Sequence, residues 1–178
     1  ENGIDFDTIR ELKEKKRGRI KEYAELVKTA KFVPGCSGIW SVKCDIALPC
    51  ATQNELDASA AKLLVENGVK LVAEGANMPC TADAVHLLQK SGVAFGPAKA
   101  ANAGGVATSG LEMSQNSMRV NWSFEEVDSK LQEIMKGIYK SASEAAEQFG
   151  HKGDLVRGSN IAGFLKVAEC MLAYGVTY

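Results

Sequence analysis

The sequence of 178 residues predicts an α/β fold, a three-layer α/β/α arrangement around a partial, mostly parallel sheet, followed by carboxyl-terminal helices. Three observations predict it. The runs Cys44-Asp45-Ile46-Ala47-Leu48, Val69-Lys70-Leu71-Val72-Ala73 and Val93-Ala94-Phe95 are nearly continuous in apolar residues rather than alternating, as in strands covered on both faces. Segments of helical spacing separate these runs, and the connections are short. Each run is followed by small and amide residues: Pro49-Cys50-Ala51-Thr52-Gln53-Asn54, then Glu74-Gly75-Ala76-Asn77-Met78-Pro79, then the stretch from Ala101 through Asn102 and Gly104-Gly105 to Gly110. Ligands of open parallel sheets lie beyond the carboxyl ends of the strands, so the three patches read as one binding rim built from separate segments.

The elements follow in order. Residues 7–27 form a charged helical stretch whose Lys13 to Arg19 run is broken by Gly18; Glu11, Glu14, Glu22 and Glu25 interleave with it, which marks a solvated helix face rather than a polybasic patch. A sheet of this kind rarely starts on a helix with no strand before it, and the sequence opens Glu1-Asn2-Gly3 without methionine, so a truncated polypeptide is expected. A short strand at Phe32-Val33 and a Pro/Gly/Ser loop to Gly38 lead into the first long run. The next helix is expected to be capped by Asn54, with Leu56, Ala60, Leu63 and Leu64 as its apolar stripe and Gly68 as its stop. A strand over 69–73, a helix over 81–90 ending at Gly92, and a strand over 93–95 repeat the alternation, which predicts a doubly wound layer with right-handed crossovers.

The last third is helical. Ser123-Phe124-Glu125-Glu126 is a capping box, and Val127, Leu131, Ile134, Met135, Ile138, Ala142, Ala145, Ala146 and Phe149 carry a stripe at three-and-four spacing up to Gly150. After a loop with His151 and Gly153, a last helix over 161–174 is expected to turn Phe164, Leu165, Ala168, Met171 and Leu172 inward.

Composition narrows the function. Twenty-one Lys and Arg against 22 Asp and Glu give a formal net charge of −1, which argues against a nucleic-acid or anionic-membrane surface. No apolar stretch has the length of a membrane span and no secretory signal is present, so a cytoplasmic protein is expected. The five cysteines contain no CxxC pair and the two histidines stand apart from them, so no metal site is expected. The cysteines read mostly as buried small hydrophobes of a reducing compartment, with Cys50 and Cys80, beside the rim, the two worth testing for reactivity.

Generic motifs fail in informative ways. Gly105 to Gly110 has the glycine spacing of a phosphate loop, but Leu111-Glu112 stands where Lys and Ser/Thr should be, and GxGxxG is absent. Asn121-Trp122-Ser123 fits a glycosylation acceptor yet reads as a turn and helix cap, His86 reads as an ordinary helix residue, and no Ser, His and acid set makes a triad.

The wording of the patches is more specific. Asp45-Ile46-Ala47-Leu48-Pro49-Cys50-Ala51-Thr52-Gln53-Asn54-Glu55-Leu56, Ala73-Glu74-Gly75-Ala76-Asn77-Met78-Pro79, Lys99-Ala100-Ala101-Asn102-Ala103-Gly104-Gly105-Val106, Ser109-Gly110-Leu111-Glu112-Met113-Ser114-Gln115-Asn116 and Gly158-Ser159-Asn160-Ile161-Ala162-Gly163-Phe164 together resemble glutamate dehydrogenase of the small hexameric class, in order and spacing, over essentially the whole chain.

That resemblance implies a Rossmann-like dinucleotide-binding domain, incomplete here and covering 1–110, with 111–178 as a helical segment that braces the domains. It implies a carboxyl-terminal portion starting after the second strand of that domain, without the substrate domain, the Gly-rich turn or the family's catalytic lysine and aspartate. No catalytic residue is therefore assigned, and the 178-residue chain alone is expected to be inactive. The implied parent reaction is reversible oxidative deamination of L-glutamate to 2-oxoglutarate and ammonia, with NADP or NAD as cofactor; the subclass points to NADP. The implied parent assembly is a homohexamer. Ala51, Thr52, Gln53, Gly75, Ala76, Asn77 and Asn102 fall to the cofactor, and Asn102, Val106 and Ser109 to the substrate. Residues 105–110 and 150–158 become hinge candidates.

Residue types alone leave other roles open: Gly75 and Ala76 as tight-turn residues, and Ser109 as a serine bonding its own helix backbone. Two other functions also remain at this point. A sibling dehydrogenase for leucine, valine or phenylalanine would share the rim but replace the polar Ser109 wall by an apolar one. A non-catalytic nucleotide-binding module would account for the missing fingerprint.

Overall fold

A computed structural model describes residues 3–35 and 37–175, so Cys36 lies outside the described residues. The chain divides into two compact units, Glu1–Ile39 and Trp40–Tyr178.

In the first unit the expected single helix is broken into short pieces. Helix α1, Phe6–Arg10, is capped by Asp5, whose side chain accepts from the Thr8 amide at 3.0 Å. It runs on as a wider turn over Glu11–Lys15, and a 3-10 turn over Ile20–Glu22 leads into α2, Tyr23–Leu26. The break has a backbone cause. Arg17 sits at φ +52°, and the Gly18 amide donates to the Leu12 carbonyl at 2.9 Å, leaving no room at Gly18 for a Cβ, which would stand 2.5 Å from Leu12 Cδ1. Lys15 pairs with Glu11 at 2.8 Å, in keeping with a solvated charged face. Phe32-Val33 forms no strand.

The second unit holds the sheet. Strands β1 (Ile46–Ala47), β2 (Leu71–Ala73) and β3 (Ala94–Gly96) pair in parallel in the order β1-β2-β3, with Ile46 opposite Leu71 and Leu71 opposite Ala94. Helices α3 (Ala58–Glu66) and α4 (Ala82–Lys90) form the crossovers. They bury Ala60, Ala61, Leu64, Ala84 and Leu88 against one sheet face, that of Ala47, Val72 and Phe95. Burying each large side chain of this cluster contributes about 1.5–3 kcal/mol.

The second sheet face departs from expectation. Ile46 is 55% exposed and Leu48 59%, and Ala94 is also exposed. The strand order explains this. Two successive crossovers of one hand between adjacent parallel strands place both helices on the same side, so the three strands are not doubly wound by α3 and α4. Within the second unit the other face meets the later helices near β3, where Tyr139, Ser143 and Leu155 share a cavity with Leu71 and Ala94.

Details of α3 also differ. Its N-cap is Asp57, which accepts from the Ala60 amide at 2.9 Å, whereas Asn54 lies in a turn at φ +56°. Leu56 precedes the helix and forms a parallel bridge with Cys80, and Ala61 is buried where Leu63 was expected.

After α5 (Ala98–Ala101) come α6 (Ala103–Met118), α7 (Phe124–Gln148) and α8 (Leu155–Tyr174). The capping box of α7 forms as read, Ser123 Oγ accepting from the Glu126 amide and Glu126 Oε2 from the Ser123 amide. Helix α8 starts six residues before the expected 161, at an Asp154 cap that accepts from the Arg157 amide at 3.0 Å and from Gln89 Nε2 at 3.0 Å. Its expected inward stripe is largely open: Phe164, Met171 and Leu172 are exposed, Leu172 at 86%, because α8 packs on α7 through its first turns and Gly158 rather than along that stripe. Phe149 is exposed as well, at the C-cap of α7.

Candidate functional site

The three small-residue patches do meet at the carboxyl ends of the strands. After β1, the Pro49 carbonyl accepts from both the Gly75 and Ala76 amides at 3.0 Å, which joins the first patch to the second. The Asn54 amide donates to the Met78 carbonyl and the Leu56 amide to the Pro79 carbonyl, each at 3.0 Å, which extends the seam. The Ala76 carbonyl accepts from Asn102 Nδ2 at 3.1 Å, which joins the second patch to the third.

Within this seam Ala51, Thr52 and Gln53 form an exposed turn held by Glu55, whose Oε1 accepts from the Ala51 amide at 2.8 Å and the Thr52 amide at 3.3 Å. Gly75 has a structural reason of its own, since a Cβ there would stand 2.4 Å from Cys50 Sγ. The amides of Ala51, Thr52, Gly75 and Ala76 are thus all spent inside the chain and are not open to a ligand. Asn77 is exposed, and its carboxamide makes no hydrogen bond among the described residues. It borders a cleft of about 930 Å³ with Asn54, Thr81, His86, Lys99 and Asn160. Lys99 Nζ donates to Asn160 Oδ1 across that cleft.

The third patch is helical. Asn102 is the N-cap of α6 but spends its side chain on Ala76 instead of its own helix. Val106 and Ser109 follow at four and seven residues, so all three share one face, with Ser109 about 10 Å along the axis from Asn102. Val106 is 74% exposed and Ser109 is exposed. The Ser109 hydroxyl donates to the Gly105 carbonyl at 3.3 Å. Gly104 faces α7, where an added Cβ would touch Leu131 and Met135, while Gly105 is open.

Two acidic residues escaped the sequence reading. Glu55 shapes the first turn, and Glu74 is buried beneath the second, accepting from the Cys80 and Ala98 amides. A charge placed directly after an apolar strand was the signal available for Glu74.

Cys80 is corrected as a reactive candidate. Burial, then the charge of the neighbouring Glu74 and its hydrogen bond, push the Cys80 thiol well above its ordinary value of 9.0. Mass spectrometry after brief alkylation at neutral pH should find exposed Cys50 and Cys170 modified and Cys80 intact; equal labelling of Cys80 would contradict its placement. The shift favours the fold fully below about pH 9, and the advantage fades as pH rises further, because the unfolded chain releases a proton the folded one retains.

Comparison with known proteins fits this geometry. A sequence profile for Glutamate/Leucine/Phenylalanine/Valine dehydrogenase matches residues 1–175. NADP-specific glutamate dehydrogenase of Helicobacter pylori strain J99 is 51% identical over 98% of this chain, and that of Escherichia coli K12 is 53% identical over 93%. The crystal structure of Plasmodium falciparum glutamate dehydrogenase superposes with a TM-score of 0.91 at 50% identity over 99% of this chain. The matched part is 40%, 36% and 38% of those three proteins, so the chain spans well under half the length of the relatives it matches.

Proposed function

The chain belongs to the glutamate/leucine/phenylalanine/valine dehydrogenase family, and from that premise we propose that it is part of an NADP-dependent glutamate dehydrogenase. Residues 1–110 supply part of the dinucleotide-binding domain and 111–178 the bracing helices, the two portions meeting within α6. The reaction is reversible oxidative deamination of L-glutamate to 2-oxoglutarate and ammonia. The observation that carries the reading is the seam joining Pro49, Ala76 and Asn102, in a chain whose relatives at 51% and 53% identity are NADP-specific glutamate dehydrogenases.

The donor set fits a nicotinamide dinucleotide. When bound, the cofactor supplies the hydride acceptor. The Asn77 carboxamide, unengaged within the chain, offers a donor and an acceptor to the nicotinamide ribose or carboxamide. Ala51, Thr52 and Gln53 line the ribose side, with Gly75 and Ala76 at the turn. Asn102, held by Ala76, sits where cofactor and substrate meet. Val106 packs on the aliphatic part of glutamate and excludes water from it, and the Ser109 hydroxyl donates to the side-chain carboxylate. These groups align the reactants, and none of them moves the reacting proton.

Among the described residues no helix is long and apolar enough to cross a membrane. The proposal adds a homohexamer in the cytoplasm, checked by sedimentation of the full-length protein. The activity test measures dinucleotide reduction by the full-length polypeptide with glutamate, leucine, phenylalanine and valine in turn. Glutamate with NADP should give the highest kcat/KM, and the 178-residue chain alone should give no turnover. Leucine turnover equal to or above that of glutamate would overturn the assignment.

A further inference from the structure

We propose that Glu74 is a positioning residue that fixes the cofactor-side loop and the substrate-side helix to a single carboxylate. The proposal rests on the glutamate dehydrogenase reading and deepens it. Glu74 is 5% exposed, the buried charged residue of the described core. No cation pairs with it among the described residues, and its two oxygens are divided between two segments. Oε1 accepts from the Cys80 amide at 3.1 Å, and Oε2 accepts from the Ala98 amide at 2.7 Å. Its own amide donates to the Gly96 carbonyl at 2.9 Å, which anchors the residue between β2 and β3.

Each partner is the base of a functional segment. Cys80 closes the loop that carries Asn77, six residues after Glu74. Ala98 opens α5, which runs directly into Asn102 and the α6 face of Val106 and Ser109. Asn102 reaches back to the Ala76 carbonyl, so the loop and the helix are joined twice, once below through Glu74 and once above through Asn102. A buried carboxylate is costly to desolvate and is retained only where hydrogen bonds offset that cost. Two amides aimed at one carboxylate are such an arrangement, and charge-assisted bonds of this kind are the stronger ones.

Glutamine cannot reproduce it. A carboxamide has one oxygen, so its NH₂ would face one of the two backbone N–H groups. Either the Asn77 loop or the start of α5 then loses its anchor, and the remaining Asn102 to Ala76 bond transmits the slack to the other.

The test uses the full-length protein. Glu74→Gln should raise KM for NADP and KM for glutamate together, each about tenfold, the equivalent of about 1.4 kcal/mol. Val72→Ala, a core truncation within β2 that lowers thermal stability while keeping the Glu74 carboxylate and its two amide partners, should leave both KM values within about twofold of wild type. The proposal is overturned if Glu74→Gln leaves either KM unchanged, or if Val72→Ala raises both as much. Should Glu74→Gln not fold, hydrogen exchange on the wild type decides: the Cys80 and Ala98 amides should be protected like those of the β2–β3 ladder, and rapid exchange at either refutes the clamp. Failure of the parent reading shows separately, as wild-type protein that does not turn over glutamate while both amides remain protected.

Discussion

Gly158→Ala is expected to destabilise the chain by about 3 kcal/mol, at the upper end of the usual cost of overpacking. Gly158 is buried where α8 crosses α7, and a Cβ built there would stand 2.0 Å from the Ala142 carbonyl oxygen and 2.9 Å from Ala146 Cβ. The first of these is a backbone atom, so no rotamer change relieves the contact. The helices must separate, and the small-residue seam of Ala142, Ala145 and Ala146 opens with them. Gly163, on the same helix, provides the control, because nothing lies within 4 Å of a Cβ added there. Gly163→Ala should stabilise by about 0.5–1 kcal/mol through helix propensity alone. Urea denaturation should therefore move the midpoint in opposite directions for the two variants, with the slope unchanged. A Gly158→Ala chain as stable as wild type would mean that the α7 and α8 seam is looser than described.

That glycine also shows where the sequence was legible and where it was not. Gly158-Ser159-Asn160 has the composition of a loop, and local propensity placed the start of the last helix after it. The helix begins earlier because a tertiary contact requires the glycine, and the Asp154 cap supplies the start signal a few residues upstream. The inward stripe of α8 failed for a related reason. Apolar spacing says which residues share a face, but not that a partner covers it, and Phe164, Met171 and Leu172 stay exposed among the described residues.

The strands and their helices were readable because their signals are local. Continuous apolar runs, the Ser123 cap and the glycines after helices set element type and order. Coverage of the second sheet face depends instead on strand order, which no local run encodes. In the site, the patches were visible as composition, and Asn77 and Asn102 stand out as amides at strand ends. What joins them was not visible. The Pro49 carbonyl, the Glu74 carboxylate and the Asn102 side chain meet their partners across sequence separations that reach 27 residues, from Pro49 to Ala76.

Ser109→Ala in the full-length protein should lower kcat/KM for glutamate by about 10- to 150-fold, the range set by losing a hydrogen bond to a charged group. The structure offers a competing role for this hydroxyl, because it donates to the Gly105 carbonyl one turn back. The geometry separates the two. Thr108 and Ser114 make the same kind of bond at 2.9 Å, whereas that of Ser109 is 3.3 Å, so of these three the Ser109 hydroxyl is the one most easily released to a ligand. If it served the helix alone, its removal would be neutral or slightly stabilising, since such back-bonding weakens helices and alanine favours them. The prediction therefore has two parts that must hold together: unchanged or higher thermal stability, and a loss confined to glutamate. Leucine, which has no side-chain carboxylate, should lose nothing, and the glutamate-to-leucine preference should fall by the full factor. A variant that keeps its glutamate kcat/KM would assign Ser109 to the backbone of α6 and move the substrate carboxylate elsewhere on the rim.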